Sequence, residues 1–213
     1  MSSTGIPRRG PGARARLWYE NGLGWPTAPG RPLRLLTGVR FDVLDVPAEA
    51  GAGALRHLAP GSPVALRGDR MQLLVAAGSA EELPGLLDWL EWGAVDLDLR
   101  VLGAGGSLEA PPPPAAAAAA AEPGPVRSAP ARGRSAPMRA GAVRGAASWL
   151  RPPEPGGEAG ASLPAMPAVG REGSAPDLVR LVDTVAAHCH RIRLRRACAG
   201  HPADRRNQPL AFS

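Results

Sequence analysis

An α+β fold is what this sequence predicts: a small mixed sheet with flanking helices over residues 17–113, then a long linker and a C-terminal amphipathic helix. Three observations carry that expectation. Residues 31–110 hold apolar runs of strand length, interleaved with helical patterns and cut by Gly and Pro at turn positions. Residues 114–173 lose that periodicity. Residues 174–199 regain it as one long stripe at helical spacing.

Taken in order, Leu33–Thr37 and Phe41–Val46 are short apolar runs separated by Gly38, which predicts paired or adjacent strands. Pro47 suits a first helical turn, where its missing N–H costs nothing, and a helix from Ala48 to Leu58 follows, stopped by Pro60-Gly61. Pro63–Leu66 and Met71–Ala76 flank Arg67-Gly68-Asp69-Arg70, a hairpin turn. Ser79-Ala80-Glu81-Glu82 reads as a capping box. Behind it Leu83, Leu86, Leu87 and Leu90 line one helical face that Gly93 ends. Val95–Leu102 alternates apolar with charged residues, the mark of a half-buried strand, and Ser107–Ala110 reads as a last short strand. The expected order is β-β-α-β-β-α-β-β.

From Pro111 on, four prolines and seven alanines lead into a Pro/Gly/Ala/Ser/Arg mixture that cannot bury enough apolar surface to offset chain entropy. Residues 114–173 are therefore expected to be a disordered linker, with Trp149-Leu150 its one apolar pair. Residues 1–16 are expected to be a disordered basic N-terminus and 200–213 a tail. In the helix 174–199, Ser174-Ala175-Pro176-Asp177 reads as a capping box and Leu178, Leu181, Val182, Val185, Cys189 and Ile192 form the stripe. Arg191, Arg193, Arg195 and Arg196 crowd the C-terminal end, where they suit the helix dipole, and Gly200 follows as a C′ residue.

Composition narrows the function classes. Ala, Gly and Pro make up 92 of 213 residues, and all 25 basic residues are arginine, so coding bias explains part of the basic character. The formal charge of +6 is uneven: residues 31–110 carry net −4, whereas 1–30, 111–173 and 174–213 carry +3, +3 and +4. A domain that gripped nucleic acid through its own surface would be basic, so only the flanking segments are expected to supply weak phosphate contacts. No apolar run approaches the roughly 20 residues of a membrane span, and the N-terminal arginines precede no hydrophobic stretch, so a cytoplasmic protein without membrane contact is expected. Two cysteines are too few for a disulfide framework. His188, Cys189, His190, Cys198 and His201 cluster in sequence, but no C-x2-C knuckle is present and His188 and His190 point apart on one helix, so zinc is not expected. Trp18, Tyr19, Trp25, Trp89 and Trp92 read as core or edge packing.

Three pieces of the chain carry a resemblance. They are Gly24-Trp25-Pro26 leading to Leu36-Thr37-Gly38 and Phe41-Asp42-Val43-Leu44-Asp45-Val46-Pro47; Gly68-Asp69-Arg70-Met71-Gln72-Leu73-Leu74-Val75; and Asp98-Leu99-Arg100 followed by Gly105-Gly106 and Ala110-Pro111-Pro112. Together they resemble the bifunctional DNA primase/polymerase N-terminal (prim-pol) domain, in the divergent small form found in actinobacteria, over residues 17–113. The resemblance implies an RRM-like, primase-type sheet and nucleotidyl transfer by bound Mg²⁺ or Mn²⁺. In that family two carboxylates two residues apart on a strand hold the metals, a histidine on the next motif binds nucleotide phosphates, and a third acid follows. Asp45 matches the first carboxylate and Asp98 the later acid. Pro47 stands at the second carboxylate position and Gln72 near that of the histidine.

The preferred expectation is a prim-pol-like protein with a degenerate active site that has lost nucleotidyl transfer and acts as a binding or regulatory module. Asp45 and Asp98 are then remnants, read as strand-end acids that are exposed or paired to arginine. The helix 174–199 would be the interaction element for a protein partner, through Leu178, Leu181, Val182, Val185 and Ile192, with Arg191, Arg193, Arg195 and Arg196 adding basic contacts. One alternative is an active or partner-completed DNA primase/polymerase that uses Asp45 and Asp98 as metal ligands. Another is a non-catalytic nucleotide-binding module using Arg70 and Arg100.

Overall fold

The computed structural model describes residues 11–114, 145–154, 162–166 and 177–199. The expectations for residues 1–10 and 200–213, and for most of the linker, lie outside the described residues. Helix α1 (Pro11–Leu17), most of it in the stretch expected to be disordered, runs into a π-helical turn at Trp18–Gly22. Strands β1 (Thr27–Ala28), β2 (Arg34–Leu36) and β3 (Asp42–Pro47) follow, then α2 (Ala48–Ala54) with a 3-10 turn at Leu55–His57. Next come β4 (Val64–Arg67), β5 (Arg70–Val75), α3 (Ser79–Trp89), β6 (Arg100–Leu102), β7 (Ser107–Glu109), β8 (Ala147–Arg151) and α4 (Leu178–Ala199). From β2 to β7 this is the order read from the sequence.

The strands form two sheets, β1-β2-β7 and β6-β3-β5-β4-β8, and every pairing between them is antiparallel rather than mixed. Strands β2 and β3 belong to different sheets and do not pair, contrary to expectation. Both faces of the larger sheet are covered, which is why β3 and β5 read as nearly continuous apolar runs. On one face Leu44, Val46, Met71, Leu73 and Val75 pack against α2, α3 and α4. On the other, Val43 and Leu74 meet Tyr19, Trp25, Phe41, Leu35 and Leu108, under the smaller sheet. Trp25 and Phe41 lie 4.6 Å apart, centroid to centroid. The Tyr19 hydroxyl donates to the Pro111 carbonyl and accepts from Trp149 Nε1, and burial pushes the phenol's pKa well up.

Several local expectations are corrected. Pro47 ends β3 and flanks α2 in extended geometry instead of entering the helix. The strand read over Val95–Leu102 shrinks to Arg100–Leu102, because only Val43–Asp45 of β3 face it. Residues before Arg100 lie instead along α4, where Arg193 donates to the Asp96 carbonyl at 2.6 Å. Ser79 makes no capping bond; Gly78 precedes α3 at φ 93°, and the helix ends through Glu91 at φ 64° rather than at Gly93. Asp177 opens α4, accepting the Val179 N–H at 2.9 Å, and Ser174 of the expected capping box lies outside the described residues. Trp92 does pack at an edge, donating to Asp183 at 3.0 Å, but Trp89 is 73% exposed.

Two segments assigned to the linker belong to the fold. Ala147–Arg151 adds to the edge of the larger sheet through Ala147↔Arg67, Ser148↔Leu66 and Trp149↔Ala65. Leu163 is buried in the second core, and the neighbouring Pro164 carbonyl accepts the Ala76 N–H at 2.8 Å. Among the described residues, no helix is long and apolar enough to cross a membrane.

Candidate functional site

Strand alternation puts Asp45 on the sheet face that carries Val43, opposite the helices. Register then sets its neighbours, with Arg100 on β6 at one side and Gln72 on β5 at the other. Arg70 enters from the end of β5. Its Nε donates to Asp45 Oδ1 and its Nη1 to Asp98 Oδ1, both at 2.5 Å, and its Nη2 donates to the Asp45 carbonyl at 2.6 Å. Gln72 Nε2 takes the other Asp45 oxygen at 3.0 Å. One guanidinium thus joins two carboxylates and a main-chain oxygen.

The three charges sit in different surroundings. The Arg70 and Asp45 side chains are 18% and 15% exposed, whereas Asp98 is 42% exposed. Burial pulls the Arg70 pKa down, but the hydrogen bonds it donates to Asp45 and Asp98, and their negative charge, outweigh that and hold the guanidinium above its ordinary value. The cation is therefore permanent, and it neutralises the acids from within the fold. Arg196 reaches Asp98 Oδ2 at 3.8 Å, and Arg193 reaches Asp96 Oδ2 at 3.4 Å. These groups rim a shallow depression of about 450 Å³ between β6 and α4, with Arg100 at its edge. Cys189 lies beneath it, and its thiol is pushed up to about 11 by burial first, then by Asp98. A thiol so raised stays protonated and unreactive near neutral pH.

These residues do not fit a pair of divalent metals. Both Asp45 oxygens are engaged, Pro47 offers no donor where a second carboxylate belongs, and Asp98 is shared between two arginines. A metal ligand set needs lone pairs free to face the ion. Among the described residues there is no group of three or more His, Cys, Asp or Glu side chains that could hold a metal.

Of the site candidates Asp45, Asp98, Arg70 and Arg100, the first three do meet. Arg100 lies alongside but, among the described residues, forms no ion pair. The arrival of Arg196 and Arg193 from α4 has no local signal, because nothing in the sequence links positions nearly a hundred residues apart. Arg195 pairs with Glu49 at 2.5 Å, so three of the four arginines expected to contact a partner fasten α4 to acids of its own domain; Arg191 forms no ion pair among the described residues. The apolar stripe is corrected outright. Leu178, Leu181, Val182, Val185 and Ile192 are all buried in the core with Leu44, Val46 and Leu73, and so present no free surface to a partner. Of the zinc-type cluster, His201 lies outside the described residues, and the His190 ring packs against Trp92 at 5.8 Å.

Comparison with known protein families, with curated proteins and with solved structures yields no match to this chain.

Proposed function

We propose that this chain is a prim-pol-like binding module in which the metal site of a primase/polymerase is replaced by an internal ion-pair network. The observation that carries this reading is the closure of Asp45: Arg70 and Gln72 take one carboxylate oxygen each. A guanidinium where a cation would sit supplies the charge balance without supplying a reactive centre. The fold is compatible with the resemblance. The run β3-α2-β4-β5-α3-β6 has sheet order β6-β3-β5-β4 with both helices on one face, the split βαβ arrangement that an RRM-like sheet implies.

Binding then falls to exposed charged surfaces, because the apolar stripe of α4 is used up in the core. The active-enzyme alternative requires Asp45 to exchange Arg70 for a metal ion. Isothermal titration with Mn²⁺ and a deoxynucleoside triphosphate separates the two, run beside an Asp45→Asn/Asp98→Asn control and a primer-extension assay. The proposed reading expects no saturable metal-dependent binding at millimolar ligand and no extension. Saturable binding or extension that disappears in the control overturns it.

A further inference from the structure

Trp89 is the most exposed large apolar side chain among the described residues, at 73%. It ends α3 on a face shared with Glu82, one heptad earlier, and with Glu81, Gly85 and Asp88. Gly85 leaves open space there; a Cβ at that position would meet nothing within 4 Å. Among the described residues, Glu81, Glu82, Asp88 and Glu91 form no ion pair. The result is an indole standing in a notched, unneutralised acidic ridge.

The far end of the same chain carries the opposite surface. Leu194 on α4 is 51% exposed, between Arg191 and Arg195. With His188 and Glu49 these residues line a second depression, of about 480 Å³, within the size range of pockets that take small-molecule-sized groups. Glu49 is already held by Arg195, which leaves Arg191 as the unpaired charge at its rim. An exposed apolar knob on an acidic helix, and a shallow, arginine-rimmed depression that holds the half-exposed Leu194 on another, are complementary in polarity and charge. Trp and Arg are also the residues on which interfaces most often depend.

We infer that a second copy of this chain docks here, Trp89 of one protomer entering the Leu194 hollow of the next. The acids beside Trp89 then face Arg191 and Arg195, and the Trp89 ring offers its face to a guanidinium. Because the two surfaces are different patches, the contact is heterologous: it leaves one free knob and one free hollow at the ends and grows head to tail. Charge supplies part of the attraction, so the association weakens with salt. This inference is independent of whether the Asp45 site is catalytic.

Light scattering of the full chain tests it. The wild type should show an average mass that climbs above 21.9 kDa with concentration and falls back at high salt. Glu82→Arg/Trp89→Ala removes the knob, and Arg191→Glu/Leu194→Asp spoils the hollow. All four side chains are exposed, so both variants should keep the wild-type circular dichroism and thermal midpoint, and each alone should remain monomeric. Mixing the two should restore a dimer that grows no further, since one retains a hollow and the other a knob. A wild type that stays monomeric at every concentration overturns the proposal. So does association that survives Arg191→Glu/Leu194→Asp, which would mean that the acidic ridge takes some other basic segment. So does a mixture that stays monomeric.

Discussion

The carboxylate of Asp42, at the start of β3, accepts the backbone N–H of Ala80 at 2.9 Å and so caps α3 from a different element. A helix N-terminus leaves donors without partners, and Gly78 at the N-cap has no side chain to offer. Asp42 is 1% exposed, which makes this a buried tie between sheet and helix. Asp42→Ala strands the Ala80 N–H and should lower unfolding stability by about 1–2 kcal/mol. Asp42→Asn keeps an acceptor and should lose less than half of that. Denaturant midpoints for the two variants decide the matter; equal losses would show that the charge, not the hydrogen bond, is what counts.

Arg70 should matter far more than the acid it shares at the surface. Asp45 is mostly buried, so Arg70→Met leaves a carboxylate without its cation and should cost about 2–4 kcal/mol. Asp98 is nearly half exposed, and water can replace its pairing, so Asp98→Asn should cost under about 1 kcal/mol. Adding Asp45→Asn to Arg70→Met removes the stranded charge and should recover part of the loss. Urea unfolding of the double-mutant cycle measures this coupling. A coupling near zero would mean that Asp45 is hydrated well enough to do without Arg70.

The glycines of α2 set how closely it meets its neighbours, and magnitudes separate two of them. Replacing helical Gly by Ala gains roughly 1 kcal/mol from propensity alone. A Cβ on Gly53 would lie 2.5 Å from His188 Nε2, the far end of a half-buried ring that can turn aside at a cost of roughly 1 kcal/mol. Gly53→Ala should therefore be close to neutral, and Gly53→Ala/His188→Ala should recover the propensity gain. A Cβ on Gly51 instead crowds Met71 along its side chain in the core, where overpacking costs about 1–3 kcal/mol. Gly51→Ala should be the destabilising member of the pair by about 1 kcal/mol. Thermal midpoints that fall equally for both would contradict this account of the α2–α4 crossing.

What the sequence made legible follows from range. The hairpin at Gly68-Asp69, the α3 face of Leu83 and Leu86, and the order of elements from β2 to β7 rest on local periodicity and turn chemistry. So does the existence of α4, whose stripe is regular. Where that stripe goes is a tertiary fact: Leu181 and Val185 are expected to face a partner, but they are buried against β3 and β5. Strand β8 escaped because Ala147–Arg151 is short and flanked by Pro and Gly, and its pairing partner β4 lies some eighty residues earlier. At the site, Asp45 and Arg70 were visible as residue types on adjacent strands. The closure of Asp45 was not, because it depends on register and on rotamers that bring Arg70 back over the strand end.

His57 supplies the pH dependence. Its Nε2 lies 2.9 Å from Thr184 Oγ1, which ties the turn after α2 to α4. Burial lowers its pKa below the ordinary 6.5, the positive charges of Arg56 and Arg180 lower it further, and Asp177 opposes them. The fold thus prefers the neutral ring. As pH drops, the unfolded chain takes up the proton first, so between the unfolded value and the lower folded value the unfolded state holds more protons and stability falls with acidification. The contribution is complete above about pH 7 and is lost progressively as pH passes down through 6.5 toward the folded value. His57→Gln keeps hydrogen-bonding capacity for Thr184 but cannot titrate. Its thermal midpoint should change less than that of the wild type across this window, while both lose stability together at lower pH, where carboxylates protonate. Midpoints recorded in half-unit pH steps for the two proteins check this; parallel profiles through the window would assign the loss to groups other than His57.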